Sequence, residues 1–119
     1  MPPRRPPLAL PPLSLPAWVG PWLARTAAAP VRGDVARMAI AIGLARENAV
    51  RGTGGPFGAA IFERRTGRLV AAGVNQVTRA GQSFAHAEML AIALAQRARG
   101  GFDLSRPRHE LVTSSEPCA

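Results

Sequence analysis

Residues 85–100 read "AHAEMLAIALAQRARG", and the interpretation of this stretch decides the fold. It predicts a helix that is apolar nearly all round, and therefore one buried between layers, closed by Gly100 and Gly101. At its entry stands a His-x-Glu pair, His86 and Glu88. Residues two apart on a regular helix point in nearly opposite directions. These two side chains can therefore converge on one point only in the first turn, where the backbone is still entering the helix.

Working outward, residues 56–77, "PFGAAIFERRTGRLVAAGVNQV", predict two strands over roughly 57–63 and 68–75 around a turn at Thr66-Gly67. Further upstream, "DVARMAIAIGLARENAV" (34–50) predicts a helix with Asp34 as N-cap and Val35, Met38, Ile42, Ala45 and Ala49 on its apolar face. "RGTGG" (51–55) ends that helix. Downstream, "HELVTSS" (109–115) predicts a short third strand. The expected order is α-β-β-α-β with no internal repeat, an α/β layer that stops early.

Residues 1–32 have a different texture. They hold nine of the twelve prolines and four arginines without a single acid. Each proline removes an N–H and disfavours helix in the residue before it. The expectation is a Pro/Arg-rich disordered leader over 1–32, followed by one domain over 33–119. Early arginines and "TAAAP" (26–30) resemble parts of a targeting peptide, but prolines interrupt the apolar stretch short of a signal core. Trp18 and Trp22, if exposed there, would make a partner-binding motif.

The formal charge of +8 comes from fifteen arginines and no lysine. Over residues 33–119, eleven arginines against seven acids leave +4, a weak argument for nucleic acid. A single cysteine cannot form an internal disulfide. No run of 18 apolar residues is present, so no membrane span is expected.

The side chains able to do chemistry are few. His86 and Cys118 are an imidazole and a thiol, the mixture zinc accepts, with three protein ligands and an open fourth position when the site is catalytic. Glu88 beside them is a carboxylate able to carry protons. Pro117 suits the first position of a helix, and a helix N-terminus favours the thiolate of Cys118. Taken singly, each residue has an ordinary reading: a capping histidine, a first-turn acid, a small apolar residue. Together they match H-x-E…P-C-x-x-C, the zinc deaminase signature, up to its last cysteine, which would fall at position 121, two residues past the end.

"GGPFGAAIF" (54–62), "AAGVNQV" (71–77), "AHAEMLAI" (85–92) and "TSSEPCA" (113–119) jointly resemble the cytidine deaminase-like zinc deaminases, in particular their guanine deaminase and nucleoside deaminase branch. The resemblance spans residues 34–119. It implies a three-layer α/β/α cytidine deaminase-like fold, here incomplete. It implies Zn2+ held by His86 and Cys118, with the third cysteine ligand beyond the C-terminus. It implies Glu88 as the proton shuttle, Asn75 and the Ala87 N–H as groups that bind the base, and Phe57 as a wall of the purine pocket. From residue type alone, Asn75 reads as a turn residue at a strand end and Phe57 as core. His109 is given no role.

The implied activity of the intact protein is hydrolytic deamination of a guanine-like purine base or nucleoside, with release of ammonia, in a cytoplasmic homodimer. The chain as written is expected to be an inactive or partial fragment, with the edge of its third strand open and one sheet face uncovered. The same-chemistry alternative is a transfer-RNA adenosine deaminase. The alternative of another class is a non-catalytic interaction module or pseudoenzyme.

Overall fold

The computed structural model describes residues 13–116. Its elements run α1 (Val19–Thr26), α2 (Asp34–Val50), β1 (Gly58–Glu63), β2 (Leu69–Val74), α3 (Val77–Ala80), α4 (Ala87–Arg99) and β3 (His109–Thr113). The three strands form one sheet in the order β2-β1-β3. Both pairings are antiparallel, with Gly58 opposite Val74 and Ala59 opposite Thr113.

Side chains alternate across a strand, and β1 uses both faces. Ala60 and Phe62 face α1 and α2, packing with Val19, Ile40, Ala41 and Leu44, and with Ala72, Val74 and Val112 of the flanking strands. Ala59 and Ile61 face α4, against Ala87, Ala91 and Ala95. Fully burying a side chain such as Phe62 or Leu44 stabilises the fold by about 1.5–3 kcal/mol each. The result is three layers, α/β/α, as the resemblance implies.

The uncovered sheet face expected from the sequence is absent from β1, because α1 and α2 shield one side and α4 the other. Exposed apolar surface remains at the strand edge, where Leu111 of β3 is 39% accessible. The α4 layer approaches very closely. A Cβ at Gly73 would overlap the Ala87 carbonyl and lie 2.9 Å from the Ala91 nitrogen, so this crossing requires glycine. Nor does α4 lie between layers as predicted: Ala87, Leu90, Ala91 and Ala95 are buried, whereas Met89 on the outer face is exposed. Gly100 closes it in the left-handed conformation, as expected.

Two other expectations require correction. Of the apolar stripe expected on α2, only Ala45 is buried. The helix buries Arg37, Ile40, Ala41, Leu44, Ala45 and Asn48, while Val35 is 86% and Ile42 52% exposed. Both stripes satisfy helical spacing. Two polar residues go inside because partners await them. Arg37 donates from Nε to the Val31 carbonyl and from its terminal nitrogens to Glu110 and the Arg64 carbonyl. Its guanidinium also lies 5.5 Å over the Phe62 ring. The N-cap is Gly33, and Asp34 begins the helix as a first-turn acid, where the macrodipole favours it.

The predicted disorder does not extend over residues 13–32. Pro21 lies in the first turn of α1, where its missing N–H would have no intrahelical acceptor in any case. Val19 is buried in the main core. Trp18 and Trp22 meet edge to face at 6.4 Å between centroids. Trp22 lies so close to Gly43 of α2 that a Cβ there would be 2.7 Å from the ring. Val31 donates its N–H to the Gly67 carbonyl. The tryptophans therefore pack inward and do not form an exposed motif. Residues 1–12 lie outside the described residues. No helix among the described residues is long and apolar enough to cross a membrane.

Candidate active site

Antiparallel pairing brings the start of β1 beside the ends of β2 and β3. The contact at Gly73 sets the N-terminus of α4 at that same end. Four chain segments thus converge there. One small cleft, about 90 Å³ in volume, is lined by Phe57, Asn75, His86, Ala87, Glu88, Ser115 and Glu116.

His86 is the N-cap of α4, extended at φ −75° and ψ 153°. This break in helical geometry lets its side chain approach Glu88 in the first turn, with Nδ1 to Oε1 at 3.5 Å. Ala87 is the first residue of the helix, so its N–H has no intrahelical acceptor, and the residue lines the cleft. The loop before α4 is tied to the segment after β2 by the Gln76 N–H, which donates to the Ala85 carbonyl at 2.9 Å, and it turns tightly at its end, where the His86 N–H donates to the Phe84 carbonyl at 2.7 Å.

Asn75 follows β2 directly. Its N–H donates to the Phe57 carbonyl at 3.1 Å, which joins two walls of the cleft. Its Oδ1 accepts the Val77 N–H at 3.2 Å, opening α3, a helix that sequence periodicity missed. With Oδ1 engaged by that N–H, the Nδ2 amide is the part of Asn75 left to donate in the cleft that the residue lines. The turn residue and the binding residue are thus compatible readings of one side chain. Phe57 is 41% exposed and forms part of the cleft wall, not of the core.

Phe57, Asn75, His86, Ala87 and Glu88 therefore line one cleft. The remaining predicted ligand, Cys118, lies outside the described residues. Two lining residues were missed, Ser115 and Glu116. Pairing with β1 continues one residue past β3, the Ser114 N–H donating to the Gly58 carbonyl at 2.9 Å and Ser114 Oγ accepting the Gly58 N–H at 3.0 Å. That register carries the chain along the cleft. Their position in "TSSEPCA" next to Cys118 was the available signal. Among the described residues, no group of three His, Cys, Asp or Glu is placed to hold a metal ion. The donors present suit zinc as far as they extend: an imidazole on the cleft, a carboxylate beside it, and a strand that delivers Glu116 two residues ahead of a thiol.

Residues 32–119 match the family model for the cytidine and deoxycytidylate deaminase zinc-binding region. The chain belongs to this family. The matched zinc-binding region contains His86, Glu88 and Cys118. Among family relatives, guanine deaminase of Bacillus subtilis (strain 168) is 42% identical over 78 residues, covering 66% of this chain and 47% of the relative. A guanine deaminase structure from Nitrosomonas europaea superposes with a TM-score of 0.79 at 42% identity, covering 97% of this chain and 63% of that one. A crystal structure with 8-azaguanine bound gives 0.79 and 42% over 97% and 62%. A structure from a study of A-to-I editing at the wobble position of transfer RNA gives 0.62 and 31% over 71% and 61%. The chain thus spans about half the length of the curated relative and about three-fifths of these solved chains.

Proposed function

We propose that this chain is the N-terminal part of a zinc-dependent hydrolytic deaminase acting on guanine or a closely related purine base or nucleoside. The observation that carries the proposal is the convergence of His86 and Glu88 at 3.5 Å in a cleft that also presents Asn75, the Ala87 N–H and the Phe57 ring. The similarity to guanine deaminases and to a chain crystallised with 8-azaguanine supports the purine as substrate. The lower similarity to the wobble-position editing structure gives transfer RNA less support.

His86 and Cys118 would hold the zinc, together with a third ligand outside this sequence. When bound, zinc supplies Lewis acidity and makes water a competent nucleophile near neutral pH. The remaining chemistry belongs to the chain. Phe57 covers one face of the base and keeps bulk water off it. Asn75 Nδ2 and the Ala87 N–H donate to acceptors on the base and fix its orientation. Glu88 takes one proton from water and passes it to the ring nitrogen as the C–O bond forms. It then takes the second proton from the new hydroxyl and passes it to the amine as the exocyclic C–N bond breaks, leaving a carbonyl and releasing ammonia.

A cytoplasmic homodimer belongs to the same proposal, supported by the exposed apolar strip of Val35, Met38 and Ile42 on α2. The deciding experiment uses the protein expressed from its complete reading frame. Ammonia release is measured from guanine and from an anticodon stem-loop, with zinc content determined in parallel. Glu88→Gln is expected to lower turnover of guanine by about 10²–10⁴-fold with zinc retained. Turnover unaffected by Glu88→Gln would remove Glu88 from the mechanism, and a protein without zinc that releases no ammonia from either substrate would leave an interaction module as the better account.

A further inference from the structure

We infer that Asn48, Thr53 and Trp18 form a positioning relay that sets Asn75 and the Phe57 loop against the cleft and ties α1 to the site. None of the three lines the cleft. The inference rests on the reading of Asn75 as a residue that binds the base.

Asn48, in the last turn of α2, is completely buried. A buried amide is costly unless its hydrogen bonds are made, and here they are. Asn48 Nδ2 donates to the Gly55 carbonyl at 2.9 Å and to the Asn75 carbonyl at 3.0 Å. Its Oδ1 accepts from Thr53 Oγ1 at 2.7 Å. The hydroxyl of Thr53 in turn accepts the Trp18 indole N–H at 3.0 Å. Trp18 is braced from its other side by the Arg51 guanidinium, 5.1 Å from its ring.

The consequence for the site follows from counting lone pairs. The Asn75 carbonyl also accepts Gln76 Nε2 at 2.7 Å, so both of its lone pairs are used. Gln76 Nε2 donates as well to the Thr53 carbonyl at 2.8 Å. With the peptide after residue 75 held by two amides and Oδ1 held by the Val77 N–H, the direction of Asn75 Nδ2 is settled before any base arrives. The Gly55 carbonyl that Asn48 holds is the one that accepts the Phe57 N–H at 2.8 Å. One buried amide therefore sets both loops. Gly54 lets them close together, since a Cβ there would overlap the Asn75 carbonyl and lie 2.6 Å from Asn48 Nδ2.

The test uses the protein expressed from its complete reading frame, with 8-azaguanine as the titrant and thermal unfolding followed alongside. Thr53→Val removes the hydroxyl and keeps the shape, and it should weaken 8-azaguanine binding about tenfold. Trp18→Phe removes the indole donor while keeping an aromatic ring, and should weaken binding in the same direction by about threefold. Thr53→Ser, which restores the hydroxyl, should bind as the parent does. A merely structural role predicts a lower Tm with unchanged affinity in Thr53→Val and Trp18→Phe, and that result overturns the relay. Asn75→Ala separates the two levels. If it leaves 8-azaguanine affinity intact, the reading of the site itself fails. If it weakens binding while Thr53→Val and Trp18→Phe do not, only the relay fails.

Discussion

Arg37 of α2 and Glu110 of β3 are 73 residues apart in sequence and meet at 3.2 Å. The guanidinium also holds the Val31 and Arg64 carbonyls and covers Phe62, so one side chain pins the α1–α2 connection, the β1–β2 turn and the β3 edge. Arg37→Ala would strand those acceptors and is expected to cost about 2–4 kcal/mol, read as a lower urea midpoint at constant m. Arg37→Lys should recover only a small part, because an ammonium lacks the planar fork that reaches three acceptors. Full recovery by lysine would show the contact to be simple charge pairing.

Gly73→Ala places a methyl against the Ala87 carbonyl and must push α4 off the sheet. Overpacking of this kind costs about 1–3 kcal/mol, visible in thermal unfolding. Since α4 carries both His86 and Glu88, catalytic loss should exceed what the fraction unfolded explains. A variant as active as the parent would mean that α4 can shift without disturbing the pair.

Asn75→Asp and Asn75→Ala should differ in an informative way. The aspartate keeps an oxygen to accept the Val77 N–H and loses the Nδ2 donor. Its folding stability should stay near that of the parent while purine affinity falls about tenfold. The alanine variant should lose both the turn contact and the affinity. Titration with 8-azaguanine alongside denaturant unfolding separates the two effects.

His109 sits between Arg99 Nε, 2.9 Å from its Nε2, and the Leu104 carbonyl, 2.8 Å from its Nδ1. A guanidinium N–H can only donate, so Nε2 accepts and the proton of the neutral ring resides on Nδ1. Imidazole nitrogen chemical shifts in neutral solution should report the Nδ1–H tautomer. The Nε2–H form would show that the link from Arg99, which also contacts Glu63 at 3.1 Å, does not persist in solution.

The amino-acid sequence by itself determined the elements whose signals are local. β1 and β2 begin and end within about one residue of their predicted limits, because alternation and the Thr66-Gly67 turn are properties of neighbouring residues. His86 and Glu88 were placed correctly at the entry of α4 for the same reason. Tertiary structure alone decided which stripe of α2 is buried, since Arg37 and Asn48 become tolerable inside only when acceptors from residues 31, 64, 110, 55 and 75 arrive. It also decided that residues 19–26, within the proline-rich first 32, form a helix, because the core supplies a seat for Val19 and Trp22 that propensity cannot register. Local periodicity reports what a segment prefers. The satisfaction of a buried donor depends on partners that sequence distance conceals.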